Sequence, residues 1–253
     1  CLIQRYTLAN GARYVSGNRC ERIYTNGATA VEKGRNAYEE KRKCLFGELG
    51  ARSEELGVNS QLSTHNSQLK IGLPRCLNLF EEYPFWHALF TACGIEVVLS
   101  SPSDYGRYER VARQIMSDNI CFPAKLAHAH VQELVDKRVD RVFMPFVVYE
   151  RSQGEQNSYN CPVVTGYSQV IKSVQTTDVP IDAPVFSFKD EKTLYRQCRR
   201  YLLGLGVDES CIRSAFAEAI KAQEDYEHEV VEINRRIYAE ALELGRPVIL
   251  LAG

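Results

Sequence analysis

The chain has 253 residues, of which 45% are hydrophobic and 25% charged, and its formal net charge is −1. This length and composition predict a soluble globular protein of one large or two small domains, without the clustered basic face of a nucleic-acid-binding protein. No run approaches the roughly 18 apolar residues of a membrane span, and no signal-peptide pattern is present. Nine widely spread cysteines do not make a secreted disulfide scaffold, so we expect a reducing, cytoplasmic setting.

Residues 1–66 are predicted to form an N-terminal β/α segment that ends in a linker. Two short strands within residues 2–15 flank Asn10-Gly11, a dipeptide typical of hairpin turns because both residues tolerate positive φ. A helix is predicted from about Arg35 to Leu49. The Ser-, Asn- and Gln-rich stretch 59–67 has no apolar period and is the predicted domain boundary. Since the first residue is a cysteine, not methionine, we expect the chain to be part of a longer protein.

Residues 67–188 show short apolar strands separated by helix-like stretches, a pattern typical of a parallel sheet with right-handed crossovers. The predicted strands are 69–73, 96–100, 141–146, 163–165 and 184–188. This predicts a Rossmann-like α/β domain, in which ligands bind outside the carboxyl ends of the strands.

Residues 189–246 are predicted to be a helical segment, with helices over about 190–203 and 209–244. Gly245-Arg246-Pro247 is a typical helix end. The apolar residues 247–253 predict the first strand of a second lobe. The fold class is therefore α/β, with an N-terminal β/α segment, a Rossmann-like parallel sheet and a helical C-terminal part that leads into a second lobe.

The sequence around Cys121 predicts a thiol at a helix N-terminus. Pro123 suits the first helical turn, because its missing N–H would have had no partner there. Unpaired backbone N–H groups and the helix dipole favour a thiolate, which is the nucleophilic and metal-ligating form of cysteine. Cys161 is a second cysteine that is followed directly by a proline, Pro162. Two interpretations stay open: the two cysteines ligate an iron–sulfur cluster, or they are buried small apolar residues.

The other cysteines divide into core candidates and one further ligand candidate. Cys93 and Cys198 fall within helical apolar patterns and are predicted to be core residues, and Cys211 is predicted to be structural. Cys20 lies near Arg19 and Arg22, an electropositive setting that suits a ligating thiolate. The pattern gives Cys1 a weaker claim as a ligand and assigns no role to Cys44 and Cys76.

Two further motifs argue against particular kinds of binding site. The segment Gly72-Leu73-Pro74-Arg75 lacks the repeated glycines of a dinucleotide fingerprint or a P-loop. Arg75 follows a predicted strand and could hold a carboxylate or phosphate, although an ordinary surface arginine fits equally well. His128 and His130 are two positions apart on a predicted helix and so point to different faces, which argues against a two-histidine metal site.

Several stretches resemble the uncharacterised domain of the large CoA-substrate-specific enzyme activase proteins. That domain is similar to the cluster-bearing subunits of the 2-hydroxyacyl-CoA dehydratases and benzoyl-CoA reductases. The resemblance covers most of the chain. It rests on Tyr14–Glu21, Ile71-Gly72-Leu73-Pro74-Arg75, Tyr83-Pro84-Phe85-Trp86, Cys121–His130 and Asn160-Cys161-Pro162-Val163-Val164.

The resemblance implies an anaerobe's cytoplasmic protein with an iron–sulfur cluster of the 4Fe-4S type. Carried over by position, Cys121 and Cys161 match the first two cluster ligands of the dehydratase subunits. The third ligand belongs to the second lobe, of which this chain holds only the predicted start, or else Cys20 takes its place. Lys125 and Arg75 are expected to anchor an anionic substrate or the charge of the cluster.

The function that the resemblance implies is the relay of ATP-driven, low-potential electrons to a CoA-thioester dehydratase or reductase. The expected partners are an ATP-dependent activase module or other domains of the same longer chain, and an acyl-CoA substrate; nucleic acid and membrane are not expected. The ATPase motifs themselves are absent from this sequence. The alternatives are a non-catalytic docking domain that has lost the cluster and a metal-free acyl-CoA-binding module, so the protein's standing as an enzyme stays open.

Overall fold

The chain divides into two compact units, residues 1–38 and 39–253. The computed structural model describes residues 4–11, 13–16, 34–47, 69–151 and 157–250. The predicted linker over residues 59–67 and the candidate ligand Cys20 lie outside these described residues. Of the first unit, the structure describes mainly a hairpin, and of the second an α/β fold.

The N-terminal hairpin pairs β1 (Gln4–Thr7) with β2 (Arg13–Ser16) in antiparallel register. At the turn, the Gly11 N–H donates to Leu8 O over 2.9 Å, and Gly11 has a φ of +80°. A glycine adopts this left-handed conformation without the steric cost that a Cβ would bring. The hairpin predicted around Asn10-Gly11 is therefore confirmed.

The second unit is built on parallel strands. These are β3 (Lys70–Leu73), β4 (Glu96–Leu99), β5 (Arg141–Phe143), β6 (Phe146–Tyr149), β7 (Ile181–Asp182) and β8 (Val185–Ser187). Four of them form one sheet in the order β4-β3-β5-β7, and β6 pairs with β8, with every pairing parallel. This arrangement confirms the predicted Rossmann-like sheet.

Prolines separate two pairs of consecutive strands. Pro145 separates β5 from β6, and Pro184 separates β7 from β8; a proline has no N–H to donate to a ladder. Hydrogen bonds bridge the breaks, because Met144 N–H donates to Asp182 O and Phe146 N–H donates to Pro184 O, both over 2.8 Å. The sequence predicted a single strand from β5 to Phe146; instead a second strand begins there and runs on.

The helices occupy the positions between the strands and the C-terminal part. They are α1 (Ala37–Phe46), α2 (Asn78–Glu81), α3 (Tyr83–Ala92), α4 (Tyr105–Val111), α5 (Phe122–Asp136), α6 (Pro162–Val174), α7 (Glu191–Gly204) and α8 (Glu209–Glu243). The strand predicted over residues 163–165 was wrong, because Pro162 begins α6 there. The single helix predicted from Asn78 to Cys93 is divided at Glu82.

Two hydrophobic cores sandwich the sheet, as the alternation of side chains along a strand requires. Phe143 joins the core of α3, α7 and α8, whereas its neighbour Val142 joins the core of α5 and α6. Trp86 is fully buried and lies 4.7 Å, between ring centroids, from both Phe143 and Phe186. The aromatic stretch around Trp86 therefore packs helix α3 against the sheet.

The described residues after α8 are irregular and mostly exposed. Beyond α8, residues 246–250 have no regular secondary structure, and Ile249 and Leu250 are 82% and 87% exposed. Residues 251–253 lie outside the described part of the chain, so a second lobe stays a prediction. Among the helices of the described residues, none has the length and apolarity needed to cross a bilayer.

Candidate functional site

The order of the strands makes β3 the topological switch point of the sheet. The chain leaves β3 for β4 on one side and reaches β5 on the other, and ligands of open α/β sheets bind outside the carboxyl ends at such a switch point. Helix α5 leads into β5 and helix α6 leads out of β6, so the N-termini of both helices lie at this carboxyl edge. Cys121 and Cys161 are the N-cap residues of these two helices.

The two N-caps have the same backbone conformation. Cys121 has φ −60° and ψ 148°, and Cys161 has φ −61° and ψ 147°. Their carbonyls accept the first helical hydrogen bonds, from Lys125 N–H over 3.2 Å and from Thr165 N–H over 3.0 Å. Both thiols are exposed, so the interpretation as buried small residues does not hold. We refer to Cys121 and Cys161 as the edge thiols.

The edge thiols differ in their capping contacts. Cys161 Sγ accepts a hydrogen bond from Val164 N–H over 3.4 Å, whereas the side chain of Cys121 makes no capping hydrogen bond. Sulfur is a weak acceptor, so a stronger ligand can replace the contact at Cys161 at little cost. The Cys161 sulfur thus faces the N-terminus of α6, where partial positive charge favours an anionic group.

A network of hydrogen bonds fixes the loop that delivers Cys161. Asn160 Nδ2 donates to Val147 O over 3.1 Å and to Glu150 Oε1 over 2.6 Å. The backbone folds back along β6, since Asn160 N–H donates to Val148 O over 3.3 Å and an antiparallel bridge joins Tyr149 to Tyr159. Cys161 is therefore held by its own strand and not by the helix alone.

Lys125 performs a similar task in the loop before α5. Its Nζ donates to Asp118 O over 2.8 Å, which ties the first turn of the helix to the loop that carries Cys121. Beside it, Phe122 packs edge-on against Tyr108 with ring centroids 5.2 Å apart. The structure thus gives Lys125 a structural contact in the first turn of α5, and its role as an anion anchor stays a prediction.

A buried histidine and tyrosine lie behind Cys121. His128 is fully buried, and its Nε2 is 3.0 Å from the hydroxyl oxygen of Tyr167. Burial raises the pKa of Tyr167, and the charge of a Cys121 thiolate raises it further. Burial also lowers the pKa of His128, which keeps the imidazole neutral.

The contacts of His128 fix the direction of the tyrosine proton. The Nδ1 atom of His128 is buried without a hydrogen-bond partner. An orphaned N–H costs more than an unused lone pair, so we place the proton on Nε2, which then donates to the Tyr167 oxygen. The Tyr167 O–H is consequently available as a donor to another acceptor.

Arg75 follows β3, and its side chain packs on the Phe46 ring of α1. Its backbone N–H donates to Ser100 Oγ over 2.7 Å, and its guanidinium carbon lies 3.9 Å from the centroid of the Phe46 ring. This cation–π contact joins the sheet edge to α1. The structure therefore gives Arg75 a packing role, and its binding of an anionic substrate stays a prediction.

A third cysteine, Cys76, lies in the hydrophobic core beneath the edge thiols, together with Ala124 and Tyr167. Burial raises the pKa of Cys76 to about 12, so it remains a protonated thiol in this state. In the part of the chain that the structure describes, no three His, Cys, Asp or Glu side chains are grouped as metal ligands. Among the described cysteines, two have exposed thiols, Cys121 and Cys161.

The family model for the CoA enzyme activase uncharacterised domain matches residues 70–253. The chain belongs to this family. No curated protein and no solved structure matches the chain. The matched residues contain both edge thiols and the whole sheet of the second unit.

Sequence reasoning missed a hydrogen-bonded network that joins two strand-end loops of this activase domain. Ser100 Oγ is 2.8 Å from His130 Nδ1, and Ser103 Oγ is 3.0 Å from His130 Nε2. Since Ser100 Oγ already accepts from the Arg75 N–H, its own proton is directed to His130. Burial is the main cause that lowers the pKa of His130 to about 4, so a neutral ring links the loops.

A buried pair of carboxyl groups supports the Cys161 loop. Glu82 is 5% exposed and accepts from Trp86 Nε1 over 2.8 Å. Burial, then the negative charge of Glu150 and a hydrogen bond with it, raise the pKa of Glu82 well above its usual range. Glu82 therefore keeps its proton at neutral pH, and Glu150 in turn accepts from Asn160. No local spacing could have revealed this pair, because its members lie in distant parts of the sequence.

Proposed function

We propose that this domain is the iron–sulfur redox part of a CoA enzyme activase system, in which Cys121 and Cys161 ligate a cluster that relays low-potential electrons. One observation carries the proposal. Two exposed thiols occupy the N-caps of α5 and α6 with matching backbone angles, at the edge of the sheet where such folds bind their ligands. Structural cysteines are usually buried, and these are not.

The residues present fit the two-thiolate part of such a site. Cysteine thiolates are the standard ligands of iron–sulfur clusters, and a bound cluster supplies one-electron transfer at a potential set by its charge, hydrogen bonds and exposure. The helix N-termini at Cys121 and Cys161 favour the negative charge of the ligands. The third ligand comes from outside the described residues, either from Cys20 or from another part of a longer protein.

The surroundings of the edge thiols suit a redox site more than a reaction on a large substrate. Lys125 and Asn160 fix the two delivering loops through hydrogen bonds, so the sulfur positions change little between oxidation states. Tyr167 offers an O–H donor beside Cys121. The electron donor that fits the family is an ATP-dependent activase module, and the acceptor is a dehydratase or reductase acting on a CoA thioester.

The test is a measurement of iron and acid-labile sulfide after anaerobic reconstitution. We expect the protein to bind both, and the double variant Cys121→Ala, Cys161→Ala to bind neither. Cys198→Ala is the matched control, because Cys198 is fully buried on the other face of the sheet, and it should retain the metal. If a chain extended by its natural neighbours binds no more iron than the double variant, the proposal is wrong and the docking or acyl-CoA-binding alternative takes its place.

A further inference from the structure

A second pair of cysteines lies far from the edge thiols, where α3 ends and α8 begins. Cys93 is the C-cap residue of α3, and Cys211 lies in the first turn of α8. Both are half-buried free thiols. Helix α8 runs antiparallel to α3, since its Tyr226 hydroxyl donates to Glu81 over 2.9 Å and its Phe216 ring packs against Phe85, which brings Cys211 to the Cys93 end of α3. Both thiols pack against the same hydrophobic core and interact electrostatically. Two neighbouring thiols with partial access to solvent form a dithiol site that the cluster proposal does not use.

The backbone holds Cys93 firmly at the helix end. Its N–H donates to Phe90 O over 3.1 Å, and Gly94 adopts a φ of +74°. Ile95 N–H then returns to the same Phe90 carbonyl over 3.0 Å, which closes the helix as αL caps do. Cys93 is thus presented on a rigid, solvent-facing corner and not on a loose loop.

Cys211 is held as firmly from the other side. Asp208 caps α8, accepting from the Ser210 N–H over 2.7 Å, and Cys211 Sγ lies 3.1 Å from the Asp208 carbonyl oxygen. The Cys211 thiol therefore has a fixed position at the start of α8, opposite the end of α3 that carries Cys93.

A third cysteine nearby takes no part. Cys198 is fully buried in α7, and burial raises its pKa well above its usual range. Burial, and then the charge of Cys211 and the hydrogen bond with it, also raise the pKa of Cys93 to about 12. Cys93 thus stays protonated until a mixed disulfide forms beside it, and Cys198 has no access to an oxidant.

We propose that Cys93 and Cys211 form a reversible thiol–disulfide site that low-molecular-weight disulfides oxidise, crosslinking α3 to α8. In the first step the Cys211 thiolate attacks the small disulfide, and one small thiolate leaves. In the second step Cys93 attacks the mixed disulfide at Cys211, and the second small thiolate leaves. The cysteines lose two electrons and two protons, and the small disulfide becomes two thiols, so the reaction balances.

The crosslink would act on the packing of the long helix. Helices α3 and α8 share one core, through Phe85 on α3 and Phe216 on α8 with ring centroids 5.9 Å apart. A disulfide that closes a long loop stabilises mainly by restricting the unfolded chain. The oxidised protein should therefore unfold at a higher temperature than the reduced protein, which gives a readout that does not depend on any cluster.

The experiment uses metal-free protein in which Cys121→Ser and Cys161→Ser remove the edge thiols, so that its outcome is independent of the proposed function. The protein is incubated with oxidised glutathione and mapped by mass spectrometry without reduction. We expect the loss of two free thiols, one crosslinked peptide pair joining Cys93 to Cys211, and a rise in melting temperature on the order of 10 °C that dithiothreitol reverses.

Single variants separate the two steps. With Cys93→Ser added, oxidation should stop at one glutathione on Cys211; with Cys211→Ser added, modification of Cys93 should be at least about tenfold slower, because its thiol is rarely ionised. Cys198 should stay unmodified in the folded protein throughout. Glutathione on both cysteines without a crosslink, or a crosslink to any other cysteine, would overturn the proposal.

Discussion

The two faces of the sheet carry cysteines in contrasting settings. On the α5–α6 face, the edge thiols Cys121 and Cys161 are exposed N-caps, each followed within two positions by a proline. On the α3–α8 face, Cys198 is fully buried, while Cys93 and Cys211 are half-buried and interact electrostatically. The contrast teaches that position relative to helix ends and solvent, not the number of cysteines, decides which chemistry a thiol can perform.

The largest expected effect is that one substitution on each face changes a different property, iron binding on one face and stability on the other. Cys121→Ala should abolish iron binding on reconstitution while it changes the free energy of unfolding by less than about 0.5 kcal/mol, as exposed substitutions usually do. Cys198→Ala should lower the free energy of unfolding by about 1–2 kcal/mol, because it leaves a cavity in the core, and should leave iron binding intact. Iron analysis and urea denaturation of both variants check the exchange; equal effects of the two variants on either readout would remove the contrast.

The second prediction concerns the pH dependence of stability at the edge-thiol face. The pKa of His130 is lowered to about 4 in the folded protein from an unfolded value of 6.5, so the unfolded chain binds more protons between these values. Stability should therefore be complete above about pH 6.5 and fall as the pH drops toward 4, by roughly 3 kcal/mol from this group. Denaturation curves measured across this window check the slope.

A matched pair of variants isolates the His130 effect. His130→Gln retains hydrogen-bonding groups for Ser100 and Ser103 without a titrating ring, so the slope between about pH 6.5 and pH 4 should flatten. His87→Gln is the control, because His87 lies in α3 on the other face, where burial lowers its pKa without the nearby charges of Arg75 and Arg107 that also lower that of His130. An unchanged slope in His130→Gln would show that the ring charges freely in the folded state.

Local sequence signals were enough to predict much of the fold and the edge thiols. Pro123 and Pro162 mark helix starts because they lack an N–H, and this placed Cys121 correctly at an N-cap. The β-branched run at Val163 favours a strand, but that prediction was wrong, because Pro162 begins a helix there. Strand existence followed from apolar runs, but proline breaks inside the sheet set the actual strand bounds.

The remaining contacts of the site join residues that no local pattern connects. Ser100 meets His130, and Glu82 meets Glu150, only because parallel strands bring their carboxyl ends to one edge. Cys93 was predicted to be a core residue from its helical pattern, yet it is only half-buried since the helix ends there. Such pairings depend on tertiary packing, which periodicity does not encode.

The third prediction tests the buried carboxyl pair beneath the Cys161 loop. The pKa of Glu82 is raised by burial and by Glu150, so above about pH 4.5 the unfolded chain loses this proton while the folded protein keeps it. This group's contribution to stability is therefore greatest below that pH and declines as the pH rises. Glu82→Gln mimics the protonated acid. Compared with the wild-type protein, the variant should therefore gain more free energy of unfolding at about pH 8 than at about pH 5.

An exposed carboxylate gives the comparison for Glu82. Glu96 is paired with Lys70 at the surface over 3.5 Å, and Glu96→Gln should change stability little at either pH, as surface pairs do. If Glu82→Gln and Glu96→Gln respond alike to pH, Glu82 is ionised in the folded protein, and the support it gives the Cys161 loop through Glu150 is of another kind.

The smallest expected effect comes from removing the hydroxyl group of Tyr167. Tyr167 accepts from His128, and its hydroxyl interacts electrostatically with Cys121, so we predict that its O–H donates to sulfur when a cluster is bound there. Hydrogen bonds to cluster sulfurs stabilise the reduced, more negative state and raise the potential. In a reconstituted protein, Tyr167→Phe should therefore lower the midpoint potential by tens of millivolts while iron content stays unchanged. Tyr195→Phe, in the α3–α8 core, should leave the potential where it is, and a shift of equal size in both variants would mean that Tyr167 does not act through its hydroxyl.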